Sequence, residues 1–161
     1  MSGSSSPAGA GRVLVDVDNR QQAHEVNIDH LTALLAATIG AQRRATQDPA
    51  PAEVGLAFID VDEMSQLNSQ HMGGSGPTDV LAFPIDGLDA APIPDGQPVM
   101  FGDIVVCPAV AERAPQPLGD ELALLVVHGA LHLVGHDHRE PDETAVMKAL
   151  ETDMLKQFHQ P

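Results

Sequence analysis

Apolar and polar residues alternate over Val13 to Val17 (VLVDV), the period-two pattern of a half-buried strand. The period then changes. Ile28, Leu31, Leu34, Leu35, Thr38 and Ile39 share one face at helical spacing; Asn27 or Asp29 serves as the cap and Gly40 as the stop. A polar, Pro-containing connection over 42–51 leads to a second strand, Val54 to Ile59 (VGLAFI). Asp62 is placed to cap a short helix through Met64, Leu67 and Asn68, and Gly73, Gly74, Gly76 and Pro77 force a loop after it. Val80 to Ile85 (VLAFPI) reads as a short strand whose Pro84 marks its end or a sheet edge. Met100 to Cys107 (MFGDIVVC) follows closely enough to pair with it as a hairpin, across a Pro- and Asp-rich loop over 86–98. Asp120 to Val134 is apolar nearly all round and predicts a central, buried helix ended by Gly135. Pro141 opens a last helix with Met147, Leu150, Met154, Leu155 and Phe158 on its apolar face. These elements predict one α+β domain over 12–161, a small mixed sheet of about four strands with about four helices. Residues 1–11 (MSGSSSPAGAG) offer almost nothing to bury and read as a disordered tail rather than a signal peptide.

Composition narrows the function classes. The chain has 161 residues with four Phe and neither Trp nor Tyr, which argues against modules that stack bases on aromatic platforms. Cys107 is the single cysteine, read as a buried small hydrophobe; with no disulfide possible within the chain, a cytoplasmic location is expected. The most apolar run, Leu122 to Val127, is far short of the ~20 residues of a membrane span. Eight Lys and Arg against 23 Asp and Glu give a formal charge of −15, which disfavours non-specific binding to nucleic acid, and DNA is not an expected partner.

Histidine carries the chemistry. Four of the eight, His128, His132, His136 and His138, lie close together. His128 and His132 are four apart on the apolar helix, so their imidazoles share a face about a turn apart. Two unpartnered imidazoles are costly to bury, and a shared metal ion supplies the partner. Gly135 turns the chain back so that His138 completes a three-nitrogen site, an arrangement that leaves a catalytic metal an open position and suits zinc. His136 is a weaker fourth candidate, because a neighbouring side chain in a turn points elsewhere. The H-x3-H-x5-H spacing with Gly135 is that of metzincin proteases, but Gly129 stands where those enzymes place a Glu as general base. A glycine cannot take a proton, so zinc-protease chemistry lacks its base.

The run His128-Gly129-Ala130-Leu131-His132-Leu133-Val134-Gly135-His136-Asp137-His138 closely resembles the HGxLHLxGxDH signature of the YbeY family of bacterial metal-dependent endoribonucleases. Leu67-Asn68 with Pro77-Thr78-Asp79-Val80-Leu81-Ala82-Phe83-Pro84 is similar to that family's LN…TDVLSFP stretch, and Gly102-Asp103-Ile104 to its GDI. The resemblance implies one zinc per chain held by His128, His132 and His138. It implies a single-stranded RNA substrate, maturation of the 16S ribosomal RNA 3′ end, ribosome quality control, and the small subunit or its assembly factors as partners. An ion at such a centre polarises a phosphoryl oxygen and makes water more acidic.

Two features depart from the family pattern. Met72 stands where members commonly carry an Arg near the metal, and the chain is strongly acidic; Arg43-Arg44 is its only basic pair. Arg139 is the candidate substitute for the missing cation, and Asp137 the candidate to orient a histidine or relay a proton. Thr78 and Asp79, at the loop-to-strand junction, either line the groove or make ordinary turn contacts. A zinc metalloprotease-like hydrolase and a non-catalytic, metal-containing ribosome-assembly factor are the alternatives.

Overall fold

The computed structural model describes residues 12–43, 50–74, 76–86, 97–136 and 140–159, without the side chain of Met72. Within them the chain runs β1 (Val13–Asn19), α1 (Ile28–Arg43), β2 (Ala52–Phe58), α2 (Val61–Met72), β3 (Val80–Pro84), β4 (Val99–Val106), α3 (Pro108–Ala111), α4 (Leu118–Leu133) and α5 (Pro141–Phe158). The expected α+β architecture is present. The four strands form one mixed sheet in the order β1-β2-β4-β3. β1 and β4 flank β2 in parallel, and β3 pairs antiparallel with β4 as the hairpin reading requires. β3 is therefore an edge strand, and Pro84, its last residue, brings no donor of its own, although Ile85 and Asp86 still bond Phe101 and Met100 across the hairpin.

Strand alternation sorts the two faces. Ala52, Val54, Leu56 and Phe58 of β2 are buried, and with Phe101, Ile104 and Val106 of β4 they form the floor of the main core. α1, α4 and α5 supply the other side through Leu31, Leu34, Leu35, Ile39, Leu122, Val126, Leu131, Met147 and Met154. α2 covers part of the opposite face, where Met64 meets Leu81 and Val105, with Cys107 buried in the same cluster. α4 is the central element: it packs against α1, α5, β3 and β4. Among the described residues no helix is long and apolar enough to cross a membrane.

Three local readings need correction. α1 does not stop at Gly40 but runs to Arg43, which is buried with its guanidinium over the Phe101 ring, 5.7 Å from the centroid. Gly40 is not among the positive-φ glycines, so the helix passes it without a break. Burial removes Arg43 from the exposed basic pair; Arg44 lies outside the described residues. The cap of α2 is Asp60, not Asp62. Asp60 keeps an extended backbone (φ −85°, ψ 176°) and its Oδ1 accepts from the Glu63 N–H at 2.9 Å, while Asp62 is already in the first turn. A fifth helix, the single turn α3, is too short for a periodic signal; only Pro108 in its first turn announces it. The tail, most of the 86–98 loop, and Asp137, His138 and Arg139 lie outside the described residues.

Candidate metal centre

α4 carries two of the three described histidines of the cluster, His128 and His132, and His136 follows its end. Its last turns are apolar on every side except where His128 and His132 face the cleft between α4 and the edge strand. Their Nε2 atoms are 3.1 Å apart, and the rings meet edge-on with centroids 4.6 Å apart. One ring can donate to the other when its proton sits on Nε2; with both protons on Nδ1 the two Nε2 lone pairs meet, an arrangement that suits a cation between them. A cavity of about 260 Å³ opens there, walled by Val80, Leu81, Ala82 and Pro84 of β3 and floored by His128, Gly129 and His132.

Gly129 explains the cleft's depth. An added Cβ would lie 2.8 Å from Ile104 Cγ2, so only glycine lets α4 lie this close to β4. Gly129 borders the cleft with its backbone, but a side chain there would start against Ile104 of the sheet, where a glutamate would have no room.

Gly135 sets where the chain goes next. It adopts φ +106°, its N–H reaches the His132 carbonyl at 3.0 Å, and the His136 N–H reaches the Leu131 carbonyl at 3.0 Å. These paired bonds form a Schellman closure that requires a left-handed residue at this point. His136 is turned to α1, with Nε2 3.3 Å from Gln42 Oε1, so it does not join the His128–His132 pair.

Among the described residues no group of three or more His, Cys, Asp or Glu side chains is arranged to hold a metal. The expected third member, His138, and both flanking candidates, Asp137 and Arg139, fall outside those residues. Thr78 and Asp79 do not line the cavity; Thr78 Oγ1 lies 3.5 Å from Asp79 Oδ1, and Cys107 N–H bonds the Asp79 carbonyl at 2.8 Å. Their role is the ordinary one of a strand start.

The structure adds one residue that sequence reasoning passed over. Glu151 of α5 places Oε2 2.5 Å from His128 Nδ1, on the side of the ring away from His132. A signal was present: Glu151 follows Met147 by four and precedes Met154 by three, so a carboxylate interrupts the buried stripe of α5.

Comparisons with known proteins give the family. The family model described as Endoribonuclease YbeY matches residues 16–159. The Endoribonuclease YbeY of Salinispora tropica is 46% identical over 114 residues, covering 65% of this chain and 73% of that protein. That of a Mycobacterium species (strain KMS) is 46% identical over 114 residues, covering 66% of this chain; the chain spans 64% of that relative's length. That of Mycolicibacterium vanbaalenii is 39% identical over 151 residues, covering 89% of this chain and 79% of that protein. The solution structure of TM1509 from Thermotoga maritima matches in fold with a TM-score of 0.55 at 24% identity, covering 89% of this chain and 91% of that one. With a family match over residues 16–159 and a relative 39% identical over 89% of the chain, this chain belongs to the endoribonuclease YbeY family.

Proposed function

We propose that this protein is a zinc-dependent endoribonuclease that cleaves single-stranded ribosomal RNA. Its role in that reading is 16S 3′ end maturation and ribosome quality control in the cytoplasm, beside the small subunit or its assembly factors. The observation that carries the reading is the pair of Nε2 atoms, 3.1 Å apart, at the floor of a cleft beside an edge strand. The family membership supports the substrate class.

His128, His132 and His138 hold the metal. When bound, a divalent ion draws electron density from a phosphoryl oxygen and makes water a better nucleophile near neutral pH. The chain's own residues do the rest. The Nε2 atoms of His128 and His132, 3.1 Å apart, offer their lone pairs to one ion when both rings carry the proton on Nδ1. The apolar wall of Val80, Leu81, Ala82 and Pro84 limits water beside it, which strengthens every charge interaction in the cleft. Asp137 positions a histidine or moves a proton, and Arg139 meets a phosphate oxygen with its guanidinium fork.

A second reading, a non-catalytic ribosome-assembly factor, draws support from the charge of −15. Metal-loaded protein offered labelled single-stranded RNA, double-stranded RNA and casein decides between them, with His132→Ala as control. Cleavage of single-stranded RNA that disappears in His132→Ala is the expected result. Casein cleavage would instead establish a protease, and no cleavage of any substrate would favour the assembly factor.

A further inference from the structure

We propose that Glu151 is a positioning residue for the metal centre: it fixes the tautomer and orientation of His128 so that the Nε2 lone pair faces the metal position. The inference rests on the reading of His128 and His132 as metal ligands and deepens it.

The geometry supplies the argument. An imidazole presents one bare nitrogen only when the other carries the proton, and the neutral ring in water mixes both forms. Glu151 Oε2 sits 2.5 Å from Nδ1 of His128, while Nε2 of the same ring faces Nε2 of His132 at 3.1 Å. A carboxylate can only accept, so its position places the proton on Nδ1 and leaves Nε2 bare. The contact also stops rotation about the ring's own bonds, because Glu151 comes from a different helix, 23 residues further along the chain.

Burial argues that the carboxylate has a task. Glu151 is 14% exposed, between Met147 and Met154, which are both buried in the main core. Placing an acid on that stripe is unfavourable unless a partner compensates, and an apolar residue would serve packing better. The described partner is the ring nitrogen of His128. The arrangement is that of a carboxylate behind a metal-bound histidine, where the outer partner raises the ligand's basicity and fixes its direction.

The test uses Glu151→Ala and Glu151→Gln in the full chain. Glutamine keeps the shape and an accepting oxygen but removes the charge. Nitrogen-15 NMR of the metal-free protein, above the imidazole titration range, reads the His128 tautomer. Competition with a chromophoric chelator reads zinc affinity, and thermal melting checks the fold. In the wild type the proton should sit on Nδ1. Glu151→Gln should keep that tautomer and lose part of the affinity. Glu151→Ala should mix the tautomers and lower zinc affinity about 10–100-fold. An unchanged tautomer in folded Glu151→Ala overturns the proposal, as does unchanged zinc affinity. Should Glu151→Ala not fold, Glu151→Gln with wild-type affinity overturns the charge's role. A wild-type protein that takes up no zinc removes the metal reading itself and this inference with it; a wild type that binds zinc no better than Glu151→Ala removes Glu151 alone.

Discussion

Gly129 of α4 rests against Ile104 of β4 so closely that a methyl group on it would lie 2.8 Å from Ile104 Cγ2 and 3.1 Å from Cγ1. This one approach joins the fold to the chemistry. It brings the histidine helix down onto the sheet, and it removes the position from which a metalloprotease glutamate would act.

Gly129→Ala should therefore destabilise the protein, although alanine is the better helix former. The propensity gain is about 1 kcal/mol. Overpacking a fixed site costs about 1–3 kcal/mol. Ile104 is fully buried and both of its branches meet the added methyl, so the steric term should win. A melting temperature several degrees lower is expected, and the double variant with Ile104→Ala, itself costly in the core, should lose less than the two single losses added together, because the truncation opens the space. Gly129→Glu should fail to fold or, if folded, should cleave no casein. Casein cleavage by that variant would show that a side chain at this position reaches the cleft.

How much of this was legible in the sequence differs from residue to residue. The His128–His132 pair is a four-residue spacing on one helix, and local periodicity reveals it. The Gly135 stop is equally local. Glu151 depends on α5 docking against α4, which no short window contains, and the only trace was an acid in an apolar stripe. The sheet order was also hidden: β4 inserts between β2 and β3, a long-range pairing that strand patterns cannot rank. Gly40 misled because a glycine stops a helix only when it takes a left-handed backbone, and Gly40 is not among the positive-φ glycines of the described residues.

Gly135 tests the turn by a route opposite to Gly129. Nothing lies within 4 Å of an added Cβ, so space is free, but φ is +106°. Gly135→Val should cost about 1–3 kcal/mol through backbone strain alone. It should also weaken zinc binding, because the paired bonds from Gly135 and His136 set where the following residues leave α4. Differential scanning calorimetry and zinc titration read the two effects. Wild-type values in both would show that the Schellman closure is dispensable.

Metal content tests the ligand set directly. Purified protein should carry about one zinc per chain, and His128→Ala, His132→Ala and His138→Ala should each lower occupancy sharply, since each removes one of three ligands. His136→Ala should keep most of its metal, because that ring is engaged with Gln42 of α1. Elemental analysis showing unchanged zinc in His132→Ala would refute the assignment.

Met72 tests whether a missing cation limits RNA binding. It closes α2, one residue after His71, whose ring meets Phe83 of the edge strand edge-on at 5.5 Å. The end of α2 thus reaches the strand whose residues wall the histidine cleft. RNA affinity grows with phosphate contacts from Lys and Arg, and this chain has eight such residues against 23 acids. Met72→Arg should add one contact. Affinity for single-stranded RNA should rise, and the slope of log K against log[salt] should steepen by about 0.7. The rate at saturating RNA should rise only if the guanidinium meets charge that develops at the reacting phosphate, because binding that is equal in ground and transition states leaves kcat unchanged. Melting comes first: a destabilised Met72→Arg protein would mean that an arginine cannot be accommodated at the end of α2. In a stable variant, an unchanged salt slope and unchanged affinity would separate the end of α2 from the RNA path.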